Sequence, residues 1–196
     1  MINIIMFGPP GAGKGTQARL LGKRFGYVYI ATGDLFREHI KNQTELGKLA
    51  QKYIDNGDLV PDEVTINMIR EEIKKAPQAE GYIFDGFPRT LLQARVLDDF
   101  LHSKNGQVDA VFALEVPEKV LIERILNRGK TSGRTDDMHV ETIKKRLEKY
   151  KTNTKPLKNY YREKGVLHEI NGLQSIDAIH EEISRIIETL HHGNGR

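Results

Sequence analysis

Apolar residues crowd the first positions, Ile2, Ile4, Ile5, Met6 and Phe7, and the run stops at the glycine- and proline-rich segment Gly8-Pro9-Pro10-Gly11-Ala12-Gly13-Lys14-Gly15-Thr16. A short apolar run bounded by such breakers predicts a buried strand. Leu20, Leu21 and Phe25 recur at helical spacing up to Gly26, so residues 17–25 form a helix, and the β-rich run Tyr27, Val28, Tyr29, Ile30 is a second strand. Residues 31–37 turn into another helix at the carboxyl end of that strand, the edge of a doubly wound sheet at which ligands sit. Thr44 then caps a helix whose stripe is Leu46, Leu49, Ala50, Tyr53 and Ile54, ending at Gly57. Asp62 begins a third, with Ile66, Ile69 and Ile73 on one side. Two short helices with no strand between them make an insertion, either a mobile substrate-binding flap or a static helical pair.

Tyr82, Ile83, Phe84 and Asp85 predict a buried strand ending in a carboxylate, followed by a helix over 92–101. Residues 108–116 are the most continuous apolar run and so a central strand. Pro117 suits the first turn of a helix over 118–128. Residues 129–137 hold no apolar side chain and read as a solvent-facing loop hinged by Gly129 and Gly133, a short lid. A helix over 140–152 is kinked or ended by Pro156, and 166–170 form the last strand. Ser175 starts the last helix, with Ile176, Ile179, Ile183, Ile186, Ile187 and Leu190 as its core face. His168 and His180 read as structural, and the polar tail 191–196 as a frayed end without function rather than a metal site. No internal repeat appears.

Composition narrows the field. A chain of 196 residues fits one domain with small insertions and can bury a sizeable core. Thirty basic against 27 acidic residues leave a net charge of only +3, a mixed surface that demands neither nucleic acid nor an anionic membrane as partner. With no cysteine, disulfides and cysteine-ligated zinc are excluded. The opening apolar run is broken too early for a signal peptide or membrane span, so a cytoplasmic protein is expected.

The segment 8–16 carries the strongest chemical signal. Strand, glycine loop and helix in succession form a phosphate cradle: backbone N–H groups converge on phosphate oxygens and the helix N-terminus adds partial positive charge. Lys14 would bridge the β- and γ-phosphates and Thr16 would hold Mg²⁺. The general pattern puts the hydroxyl directly after the lysine, whereas here Gly15 intervenes, which narrows the choice of family. An ordinary glycine-rich turn is the alternative, with little use for Lys14. Asp85, at the end of its strand beside such a loop, would hold Mg²⁺ through water or else brace the loop. Arg124 and Arg128 are four apart and share a helix face, a solvated one unless phosphate lies nearby.

With these segments placed, the chain resembles the adenylate kinase family of nucleoside monophosphate kinases over nearly its full length. The resemblance rests on residues 8–16, on Thr32-Gly33-Asp34-Leu35-Phe36-Arg37, on Asp85-Gly86-Phe87-Pro88-Arg89 with Gln93, and on Arg134-Thr135-Asp136-Asp137 with Arg146, in that order. It implies one α/β P-loop domain over 1–196, a three-layer fold with a five-stranded parallel sheet, a helical monophosphate-binding insertion at 31–60 and a short lid at 128–138. The activity implied is reversible, Mg²⁺-dependent transfer of the γ-phosphoryl of ATP to AMP, giving two ADP, by a monomer without zinc. Carried over by position, Gly11, Ala12, Gly13, Lys14, Gly15 and Thr16 bind ATP phosphates, with Arg128 at the lid hinge and Gln174 near adenine. Thr32, Arg37, Asp58, Leu59, Val60, Gly86, Phe87, Pro88, Arg89 and Gln93 form the AMP pocket. Lys14, Arg89, Arg124, Arg134 and Arg146 are the catalytic set, the last two also reaching AMP.

Such cations suit the reaction, since the acceptor oxygen is already ionised and no general base is needed. Guanidinium grips phosphate at two points and keeps its proton. A UMP/CMP kinase shares this machinery and differs only in the base pocket, where Thr32 and Gln93 favour a purine edge. A kinase of small hydroxyl compounds would need Asp34 as base, and a nucleotide sensor without turnover would not need every cation.

Overall fold

The computed structural model describes residues 1–193. Five strands, β1 (Ile2–Phe7), β2 (Val28–Ala31), β3 (Gly81–Asp85), β4 (Ala110–Glu115) and β5 (Leu167–Asn171), form one sheet in the order β2-β3-β1-β4-β5. All four pairings are parallel, with Ile4 opposite Ile83 on one side and Ala110 on the other. The expected five-stranded parallel α/β sheet is therefore present, although the middle strand is β1, and β4 lies between it and the edge strand β5.

Alternation along each strand sends side chains to two buried faces. Ile4, Met6, Ile83 and Phe112 face one way, against α1 (Lys14–Phe25), α6 (Glu118–Ser132), α7 (Val140–Lys149) and α9 (Ile176–Gly193), represented by Leu21, Ile125, Ile143 and Ile183. Ile5, Phe7, Tyr82, Phe84 and Val111 face the other, against α4 (Asp62–Lys74), α5 (Leu91–His102) and α8 (Leu157–Glu163) through Ile69, Leu97 and Tyr161. Burial on both faces explains why the strands read as continuous apolar runs. A third, smaller cluster of Phe36, Ala50, Val60 and Met68 packs α2 (Thr32–Lys41) and α3 (Glu45–Asp55) onto α4, giving the insertion a core of its own. As read from sequence, Thr44 caps α3, its hydroxyl accepting from the Gly47 N–H at 3.0 Å.

Several expectations need correction. The segment 129–137 is no open loop: α6 runs on to Ser132, Gly133 ends it at φ 69°, and a 3-10 turn (Thr135–Asp137) follows with Asp137 fully buried. Gly129 sits inside α6 because a Cβ there would lie 2.7 Å from the Asp137 carbonyl oxygen, so the glycine is a contact point rather than a hinge. After α7 the chain stays helical through a π turn (Tyr150–Thr154), and Pro156 leads into α8, a helix the sequence reading missed. Leu20, Leu49 and Ile176, assigned to core faces, are 36%, 38% and 56% exposed, since each stripe is narrower than the apolar pattern suggests. Part of the supposed frayed tail is ordered: α9 extends to Gly193, and His191 stacks on Phe25 and Tyr27 with its Nε2 2.6 Å from the Tyr27 hydroxyl. Residues 194–196 of that tail lie outside the described residues. Among those described, no helix is long and apolar enough to cross a membrane.

Candidate active site

The carboxyl ends of β1, β2 and β3 open onto a single cleft. At the end of β1 the chain winds through Gly8, Gly11 and Gly13, all at positive φ. Gly11 has a second reason to lack a side chain: a Cβ would meet Ile125 of α6 at 2.8 Å. The loop thus presses on the helix beneath it, and its N–H groups collect at the start of α1. Lys14, the first residue of α1, folds back so that Nζ donates to the carbonyls of Gly8 and Pro9, both at 3.0 Å. Burial, only partly offset by Asp85 and reinforced by Arg89, Arg128 and Arg146, brings its ammonium down to about 8. Gly13, Gly15 and Thr16 line the cleft with it, while Ala12 is buried behind the loop.

Asp85, at the end of β3, faces the loop and accepts from the Tyr29 hydroxyl at 2.8 Å; burial and Asp85 together push that phenol well above its usual range. Gly86 follows at φ 77°, where a Cβ would lie 2.6 Å from Thr32 Oγ1, so this position brings β3 and α2 into contact. The Thr32 hydroxyl donates to the Gly86 carbonyl at 2.9 Å, which engages a group read as base-facing. Pro88, after a cis bond, and Arg89 line the cleft, whereas Phe87 is buried and does not. Arg37 is paired to Asp34, and Arg19 reaches the same carboxylate at 3.2 Å.

Opposite, Asp137 accepts both Nε and Nη2 of Arg128, at 2.7 and 2.8 Å, and Nη1 of Arg146 at 2.8 Å. Burial raises its carboxyl, but those bonds and charges outweigh it and hold the group below its usual value. Arg89 and Arg134 differ from their neighbours: among the described residues neither guanidinium has a carboxylate within salt-bridge distance. Burial lowers both, and Arg146 beside Arg89 and Arg37 beside Arg134 add to the effect. Two part-buried guanidinium groups without a counter-charge are costly unless an anion completes them.

The cleft therefore gathers Lys14, Arg37, Arg89, Arg128, Arg134 and Arg146, together with Asp58, Leu59, Val60 and Gln93. Four residues assigned from sequence do not line it: Ala12 and Phe87, which are buried, and Arg124 and Gln174. Arg124 lies off the cleft and donates to the Gly172 carbonyl at 3.1 Å, and Gln174, on the same turn, bonds the Asn171 carbonyl and Glu182. Arg19, Tyr29, Lys149 and Tyr150 line the cleft unforeseen, since nothing in their sequence spacing points to a ligand. The insertion also reaches across: Asp58 pairs with Lys145 at 2.9 Å and Lys149 at 3.5 Å, and Thr135 donates to Asp55 at 2.7 Å. No group of three or more metal-ligating side chains occurs among the described residues.

A family model described as adenylate kinase matches residues 6–166. The chain is 50% identical over 190 residues to the adenylate kinase of Flavobacterium psychrophilum, covering 97% of this chain and 100% of that one. It is 46% identical to that of Bacteroides fragilis, with the same coverage. With the adenylate kinase of Clostridium botulinum it shares 41% over 212 aligned positions, 95% of this chain and 98% of that relative.

Proposed function

That the chain belongs to the adenylate kinase family, and transfers the γ-phosphoryl of ATP to AMP, is the premise from which we propose how its residues divide the work. The observation that carries the reading is the pair Arg89 and Arg134, part-buried without carboxylate partners beside six further cations in one cleft. ATP phosphates lie in the loop of Gly11, Gly13, Lys14, Gly15 and Thr16, whose N–H groups and Lys14 ammonium oppose their charge. Arg124 and Gln174 lie near the adenine of ATP, off the cleft that holds the phosphates, and Arg124 acts there by position rather than on the transferring group. AMP lies against Thr32, Arg37, residues 58–60 and 86–89, and Gln93. Arg89, Arg134 and Arg146, with Arg128, surround the phosphoryl in flight and stabilise its equatorial oxygens.

Asp34 is already held by Arg37 and Arg19, which argues against a base for a hydroxyl acceptor. A phosphate acceptor needs none. Residues 31–60 act as the monophosphate-binding insertion and 128–138 as the lid, which excludes water as competing acceptor. Thr16 and Asp85 fit Mg²⁺, an ion bound through one or two protein oxygens, phosphates and water rather than by a cage of side chains. Bound there with ATP, it supplies charge neutralisation on the phosphates.

The test is ADP formation from ATP and Mg²⁺ with AMP, UMP, CMP, GMP or no acceptor. AMP should exceed every other acceptor, and Gln93→Ala should weaken AMP use more than ATP use. Equal losses for both nucleotides would remove Gln93 from the AMP pocket.

A further inference from the structure

Gln93 is 2% exposed, and both ends of its amide are occupied. Oε1 accepts from the backbone N–H of Arg89 at 2.7 Å, and Nε2 donates to Asp62 Oδ1 at 2.8 Å. The same carboxylate oxygen accepts from the Thr90 hydroxyl at 2.9 Å, and Thr90 Oγ1 in turn accepts from the Gln93 N–H at 3.2 Å as cap of α5. From behind, the Thr154 hydroxyl donates to the Arg89 carbonyl at 2.9 Å, which holds the peptide that follows the first donor. Turning the amide over would set NH₂ against an N–H and oxygen against a carboxylate, two repulsive contacts in place of two bonds. Its orientation is thus decided by chemistry, with no ambiguity between nitrogen and oxygen.

We propose that Asp62 is a positioning residue that determines base specificity: by locking the Gln93 amide it makes the acceptor pocket favour a base with an exocyclic amino group beside an unprotonated ring nitrogen over one with a carbonyl beside a ring N–H. The proposal rests on the reading of Gln93 as the residue facing the AMP base. Each end of the amide keeps one further bonding position, a second hydrogen on Nε2 and a second lone pair on Oε1. A 6-amino purine presents a donor and an acceptor to such a pair; a 6-oxo purine presents them in reverse order. Serving the second base requires the amide to turn over, which Asp62 and the Arg89 N–H oppose. Asp62 is the first residue of α4 and Gln93 lies on α5, so the lock also ties the base pocket to the helix that closes the insertion.

AMP and IMP differ at this edge alone, so their ratio of kcat/KM reads the lock. Asp62→Ala should raise the IMP-to-AMP ratio by about tenfold or more, the factor one charge-assisted bond carries. Its KM for ATP should stay within about twofold, since the lock touches only the acceptor pocket. Asp62→Asn keeps an oxygen acceptor and should restore the wild-type ratio within about twofold. Asp62→Ser, polar but too short to reach Gln93, repeats the alanine experiment should that variant melt too low to assay. An unchanged ratio in the alanine or serine variant, while Gln93→Ala impairs AMP but not ATP, overturns the inference and leaves the pocket assignment standing. If Gln93→Ala impairs both nucleotides alike, pocket assignment and inference fall together.

Discussion

Lys14 concentrates the residue-scale physics. Its ammonium, brought from an ordinary 10.5 to about 8 by burial, is poorly placed until phosphate arrives. The charged form is penalised in the folded chain, so the group's contribution to stability is unfavourable below about pH 8 and fades as pH rises towards 10.5. Bound phosphate favours the charged form. ATP affinity should therefore fall as pH rises through 8, with proton uptake visible by calorimetry in buffers of different ionisation heat. Lys14→Met should abolish that uptake and cost about 10²-fold or more in rate; uptake that survives the substitution would mean another group titrates. Asp137 works in the opposite sense. Its carboxyl is held below the usual 3.8 by Arg128 and Arg146, so the stability it contributes is complete above 3.8 and lost as pH falls through the lower folded value. Asp137→Ala leaves two guanidinium groups without their buried partner, about 3 kcal/mol, and should lower Tm by about 10 °C. The spacing of the glycine loop made Lys14 legible in the sequence, and the family resemblance pointed to Arg89, Arg134 and Arg146. That Arg128 and Arg146 share Asp137 was not, because the carboxylate lies in a run with no apolar residue and looked solvated.

At the scale of elements, close approach decides more than helical propensity. Gly47 lies in the first turn of α3, where a Cβ would sit 2.1 Å from the His39 carbonyl of α2. Alanine is a better helix former by about 1 kcal/mol, yet here the clash with backbone prevails. Gly47→Ala should spread α2 from α3 and raise the KM for AMP about tenfold, with little change for ATP; equal change in both would deny that 31–60 serves AMP alone. The strands and most helices were readable because their faces are buried and their starts are marked, as by the cap Thr44. Misreadings came where burial is decided by a neighbour. Residues 129–132 are polar but stay helical under the 3-10 turn, and α8 follows a π turn and Pro156, which masked Leu157 and Tyr161 as a buried stripe.

Over the whole molecule, residues 55–58 meet the 3-10 turn and α7 across the cleft, through Asp58 with Lys145 and Lys149, and Asp55 with Thr135. These are part-exposed bonds, each worth about 1 kcal/mol or less, weak enough to break and re-form if the proposed lid opens in each turnover. Adenylate kinase lids are a standing example of motion that gates turnover. Lys145→Ala should therefore raise kcat about two- to threefold with a parallel rise in KM for AMP, and added salt should mimic it in the unmodified enzyme. A single-turnover transfer rate no faster than steady state would show that opening does not limit the reaction. The sequence by itself determined the α/β class, the phosphate loop, the strand-end carboxylate and the supply of arginines, because each depends on local geometry or on a residue's intrinsic chemistry. Only the tertiary structure decided which cations stay unpaired, that the Gln93 amide has one orientation, and that Arg124 lies off the cleft. Those depend on partners such as Asp137, Asp62 and Gly172, brought close by packing from distances along the chain that no local pattern encodes.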